Sequence, residues 1–144
     1  MEVYPFSRRR LTRAYLVELI YRAELLEERP EEVLGDIARR EHLEEERVRE
    51  LEELAEVYSK NRSRIDEVFA KVLKNWRPER VLPLDRAIIK AGAVEALAGV
   101  PHPVAISEAV ELAKALSTEK SPKFVNGVLD AMIKELRGEG SPSQ

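Results

Sequence analysis

Four arginines open the chain, Arg8, Arg9, Arg10 and Arg13, and their type and placement suit phosphate better than they suit helix stability. They fall in the first turns of a helical pattern that runs from Ser7 to about Glu28, with Leu11, Ala14, Tyr15, Val17, Leu19 and Tyr21 as its apolar positions. At that end of a helix the macrodipole favours acidic side chains by about 0.3–1 kcal/mol each, so consecutive arginines stand against it. Guanidinium forks bind phosphate oxygens in pairs, which gives these residues a use that stability does not; the alternative is a solvated basic tail. A second unusual pair lies near the other terminus. Asn126-Gly127 sits inside a helical stretch, where glycine is worse than alanine by roughly 1 kcal/mol and asparagine is also a poor former. A glycine there admits either a crossing helix or a ligand, and the asparagine amide can both donate and accept.

Three more residues draw attention. Trp76, the only tryptophan, precedes Arg77-Pro78 and reads as a buried loop plug ahead of a base-stacking residue. Glu95 stands in the apolar run AGAVEALAGV, either at that helix's one exposed edge or reserved for a charged partner. His102, between two prolines, reads as part of a rigid loop rather than as a ligand. No serine, histidine and carboxylate fall in a nucleophile motif, and neither a P-loop nor a GxGxxG is present. With two histidines, no HExxH and no cysteine, neither a metal site nor a disulfide is expected, and no cofactor is implied.

The elements that must position these residues are helices throughout. Pro30 opens a second helix, weakened by Gly35, and a longer one starts near Glu44 behind the acidic run Glu44-Glu45-Glu46. Around Asn61 the pattern predicts a break, with Ser63 and Asp66 as a capping-box-like pair in front of a fourth helix that ends near Asn75. Pro83 begins a largely apolar helix studded with small residues, which suits close helix crossing and a central position. Then come a loop over 99–103, an amphipathic helix over 104–116, and a last helix capped by Ser121 with Pro122 at its first position. The sum is an all-α chain of about seven helices. One domain over 1–144, or two small subdomains within it, is expected, with a polar tail over 138–144.

Net charge is −3, and its distribution says more than its total. Residues 1–13 carry four arginines against Glu2, residues 24–56 carry 14 acidic and 5 basic side chains, and residues 57–90 carry 9 basic and 4 acidic. A polyanion would be drawn to the first and third of these stretches and repelled by the second. No apolar run approaches the roughly 20 residues of a membrane span, and the start MEVYPFSRRR lacks a signal-peptide core, so a cytoplasmic protein is the expectation.

Several segments taken together resemble the bacterial transcription antitermination factors of the NusB family. They are RRRLTRAYLVELIY, IDEVFAKVLKNWRPERVLPLDRAIIKAGAVEAL and PVAISEAVELAKALSTEKSPKFVNGVLDAMI, which between them span residues 8–136. The resemblance implies two packed three-helix subdomains plus an extra helix, divided over about 7–75 and 76–137, and a function without catalysis. It implies pairing with the ribosomal protein NusE, binding of boxA RNA from ribosomal RNA leaders, and service in an RNA polymerase antitermination complex. By matching motifs it assigns Arg8, Arg9, Arg10, Arg13, Lys123, Phe124 and Asn126 to RNA, with the lysine on phosphate and the phenylalanine on an unpaired base. It assigns Tyr21, Glu24, Glu95 and Asp130 to the protein partner, although Ala96 departs from the family's Glu-Leu pattern after Glu95. Two rival readings are a helical adaptor that binds only protein, and a fragment of an RNA methyltransferase of the kind that carries NusB-like domains.

Overall fold

Six helices make up most of the described residues, 8–76 and 80–138, of a computed structural model. The side chains of Arg8 and Arg9, the segment 77–79 and both termini lie outside the described residues, and so do the expected helix start at Ser7, the Arg77-Pro78 part of the loop and the polar tail beyond 138. In chain order the helices are α1 (Arg8–Leu25), α2 (Pro30–Arg40), α3 (Glu45–Leu73), α4 (Pro83–Leu97), α5 (His102–Leu116) and α6 (Ser121–Arg137). No strand occurs among the described residues.

The break expected at Asn61 does not occur. α3 runs unbroken for 29 residues, about 43 Å at 1.5 Å per residue. Leu51, Ala55, Tyr58, Ile65, Phe69 and Val72 continue one buried stripe through the region, and Arg62 fills the gap in it by laying its guanidinium over the Tyr58 ring, 5.3 Å from the centroid. The Asn61 amide donates to Val57 O at 2.8 Å, one turn back along the same helix. This continuity lowers the helix count from seven to six and lets α3 serve both halves. It packs with α1 and α2 of the first half and with α4 and α6 of the second.

Two other boundaries differ from the sequence pattern. α5 begins at His102, with Pro103 in its first turn, where a missing N–H costs nothing. Ser121 is not a helix cap; it is the first residue of α6, buried, and its hydroxyl points into the bend before it. There the Ser117 and Ser121 hydroxyls each donate to one oxygen of Asp85 at 2.6 and 2.9 Å, and the Thr118 N–H donates to Ser121 Oγ at 3.2 Å. Asp85, in the first turn of α4, thereby fixes the loop that launches α6.

α4 lies at the centre, buried from Ala87 to Ala96. Gly92 is the reason α6 can come so close, because a Cβ at that position would fall 2.4 Å from Leu129 Cδ2. One continuous hydrophobic core joins the three helices of the first half to the three of the second.

Candidate nucleic-acid interface

The N-terminal arginines form a joint between helices. Arg13 is 4% exposed, and its guanidinium donates to Glu95 Oε1 of α4 at 2.7 Å and to Glu108 Oε1 of α5 at 3.0 Å. Arg10 makes a two-pronged contact with the same Glu108, Nε to Oε1 at 3.0 Å and Nη2 to Oε2 at 2.7 Å. Glu95, 6% exposed, therefore does not lie at an exposed edge; its charged partner within the chain is Arg13. Arg13, expected on phosphate, and Glu95, expected at a protein partner, are thus both enclosed and paired with each other. A buried charge without a counter-ion costs several kcal/mol, which is why this pair closes inside the fold.

Glu24 also turns inward. Its carboxylate accepts from Lys90 Nζ at 2.9 and 3.1 Å and from the Tyr58 hydroxyl at 2.8 Å. Lys90 also reaches Asp66 at 2.8 Å, so α1, α3 and α4 share one polar knot. Burial and the neighbouring Glu24 carboxylate push the Tyr58 hydroxyl well above its ordinary pKa, keeping it a neutral donor. Tyr21 is half-buried against the core.

At the start of α6 two side chains face outward. Lys123 and Asn126 are exposed, and Lys123 makes no ion pair among the described residues. Phe124 is half-buried and meets Trp76 edge to face, centroids 5.8 Å apart and planes at 89°. Trp76 is not the buried plug that its size suggests; it is 39% exposed and lies on α6 at Gly127. A Cβ on Gly127 would stand 2.1 Å from Trp76 Cζ2, so the glycine seats an indole ring rather than a crossing helix.

Between α5 and α6 runs a groove of about 620 Å³ whose walls include Ile106, Val110, Glu111, Asn126 and Asp130. His102 Nε2 lies 2.8 Å from Asp130 Oδ1 at its rim. Burial opposes ionisation of Asp130, but hydrogen bonds from Lys134 and His102 outweigh it and hold the carboxyl below its usual range. α5 links the two termini. Its Glu108 binds Arg10 and raises the arginine's pKa, the charge of Glu111 acts on Arg10 in the same sense, and Glu111 lines the groove opposite Asn126. Two carboxylates one turn apart on α5, Glu108 and Glu111, thus connect the first turn of α1 with the wall of the α5–α6 groove.

Sequence reading missed the Asp85 anchor, because nothing in the spacing of Ser117 and Ser121 says which carboxylate, 32 and 36 residues away, they will meet. It also missed the Trp76 seat, for which the interior glycine was the available signal. No group of three or more metal-ligating side chains occurs among the described residues, and no described helix is long and apolar enough to cross a membrane.

Comparison with known proteins agrees with this architecture. The transcription antitermination protein NusB of Frankia casuarinae is 45% identical over 94 residues, covering 64% of this chain and 69% of that one. Three further curated relatives of the same name are matched over 53–57% of their length. The solved NusB of T. maritima superposes with a TM-score of 0.77 at 30% identity, covering 90% of this chain and 92% of its own. A crystal structure of antitermination factors NusB and NusE in complex with dsRNA contains a chain that matches with a TM-score of 0.77 at 25% identity, over 88% of this chain and 96% of that one. The model of the NusB family matches residues 10–134, from the arginine joint to the last turns of α6, and the chain belongs to that family.

Proposed function

We propose that this protein is a transcription antitermination factor that binds boxA-type RNA of ribosomal RNA leaders together with the ribosomal protein NusE and supports processive transcription by RNA polymerase. The observation that carries this reading is the exposed surface at the start of α6, where Lys123 has no counter-ion among the described residues and Phe124 and Asn126 stand beside it. The side chains play three parts in it: Lys123, with Arg8 and Arg9 at the start of α1, holds phosphates; Phe124 stacks an unpaired base; and the Asn126 amide reads a base edge. Arg10 contributes through its exposed flank while remaining bound to Glu108. Tyr21 and Asp130 are the residues of the partner set with surface to offer, whereas Glu24 and Glu95 stabilise the fold that presents them. The chain acts by binding and performs no catalysis, in the cytoplasm where transcripts are made.

With few free cations on a chain of net charge −3, affinity for RNA alone is modest and a basic partner raises it. One observation favours a second reading. Because Arg10 and Arg13 already neutralise Glu108 and Glu95, the adaptor that binds only protein has these arginines as structural residues. Titration of labelled boxA RNA, single-stranded and duplex, with and without NusE, separates the two. Saturable binding strengthened by NusE is expected, and an absence of RNA binding in both conditions would leave the adaptor.

A further inference from the structure

We infer that Trp76 is a base-stacking residue of the RNA site, an inference that rests on the proposed RNA binding and adds to it a residue from outside the α5–α6 hairpin. A tryptophan is the largest apolar side chain, and a fold with a continuous core would ordinarily draw it inside. Here it stands at the end of α3, 39% exposed, apart from the core. Two features hold it there. The six-membered part of the indole rests on the bare backbone of Gly127, with Cζ2 and Cη2 at 2.1 and 2.3 Å from where a Cβ would be, and the ring meets Phe124 edge on at 5.8 Å. The seat runs against helix propensity, since glycine inside α6 costs roughly 1 kcal/mol relative to alanine. What it secures is an aromatic ring fixed on one side and open to solvent on the other.

The surroundings select the ligand. Lys123 and Asn126 lie on the same turns of α6 as the seat, and Lys74 stands two residues before the tryptophan. All three are exposed and none makes an ion pair among the described residues. A pre-positioned aromatic face with lysines for phosphate and an amide for a base edge fits an unpaired nucleotide, because every base has a face to stack and the ring loses little freedom on binding. A protein segment would find the same ring, but the cations around it favour a polyanion.

Because the chain has one tryptophan, its emission reports on this position. Adding unlabelled single-stranded boxA RNA to the full chain with NusE bound should quench that emission in a saturable way, along the same curve as the anisotropy of a labelled RNA. Trp76→Leu, which keeps an apolar side chain on Gly127, should weaken binding roughly 5- to 100-fold with the slope against salt unchanged, and Trp76→Phe should recover most of the loss. Gly127→Ala, which retains the tryptophan but removes its seat, should weaken binding too. Labelled RNA that binds normally while the emission stays constant, or that binds Trp76→Leu like the parent, overturns the inference and leaves the proposed function standing. A parent chain that binds no RNA overturns both.

Discussion

Arg13 shows how a residue chosen for one chemistry can belong to another. Its type and position announced phosphate, yet its guanidinium closes on Glu95 and Glu108 inside the fold. The arginines' poor fit to the start of a helix was legible in the sequence, and it correctly signalled that something other than helix stability holds them. The partner was not legible, because Glu108 lies 95 residues further along the chain from Arg13 and 98 from Arg10. Arg13→Ala should lower unfolding free energy by about 3–5 kcal/mol in urea titration, since it leaves Glu95 buried without a counter-ion, whereas Arg13→Met combined with Glu95→Leu should restore most of it. The surface arginines make a different prediction. Arg40 holds Glu18, and Arg22 holds Glu28 and Asp36, below the ordinary carboxylate range. A carboxylate lowered in the folded state contributes stability that is complete above its unfolded value of about 4 and is lost as pH falls through the folded value. Urea midpoints should therefore drop more steeply below about pH 4 for the parent than for Arg22→Ala, and equal acid limbs would remove these pairs from the account.

At the scale of elements, helix identity was readable from apolar spacing and from proline at the starts of α2 and α4, while helix length was not. The signals at Asn61, Ser63 and Asp66 are genuine local preferences for a break. A stripe from Leu51 to Val72 buried against four other helices outweighs them, since in proteins tertiary packing supplies most helical stability. The same contest separates two glycines. Gly92→Ala should destabilise the protein by about 1–3 kcal/mol, because the new methyl meets Leu129 at 2.4 Å in a packed core. Gly35→Ala should instead stabilise it by up to about 1 kcal/mol, because its nearest neighbour is the tip of the flexible Arg39 side chain at 3.3 Å. Thermal melting of the two variants checks the opposite signs. Asp85→Ala is expected to cost about 1–3 kcal/mol, since it leaves the Ser117 and Ser121 hydroxyls without their acceptor, and to weaken RNA binding because the bend that aims Lys123 is no longer held.

Across the whole molecule, the charge map read from the sequence overstated what is available to a polyanion. Counting residues gave four cations at the first terminus, but two of them are held by carboxylates from α4 and α5, and the acidic middle stretch is partly matched by Arg22, which pairs with Glu28 and Asp36. Such folding of charge onto charge is invisible to any sum over sequence windows. Plots of log affinity against log salt should therefore be shallow, and Lys123→Ala should reduce their slope by about 0.7, the amount for one phosphate on a single strand. The all-α architecture was legible throughout, because it depends only on periodicity and on where the prolines and loops fall, whereas periodicity alone gave one helix too many in the first half.

The closure of Arg13 on one carboxylate from α4 and another from α5 also bears on ancestry. Two enclosed positions that share one charge balance are not free to drift separately, since the loss of either strands an ion in the interior. Among the relatives of this chain, positions 13 and 95 should be inherited as a pair, either both retained or both exchanged together, while Lys123 and its exposed neighbours vary one at a time.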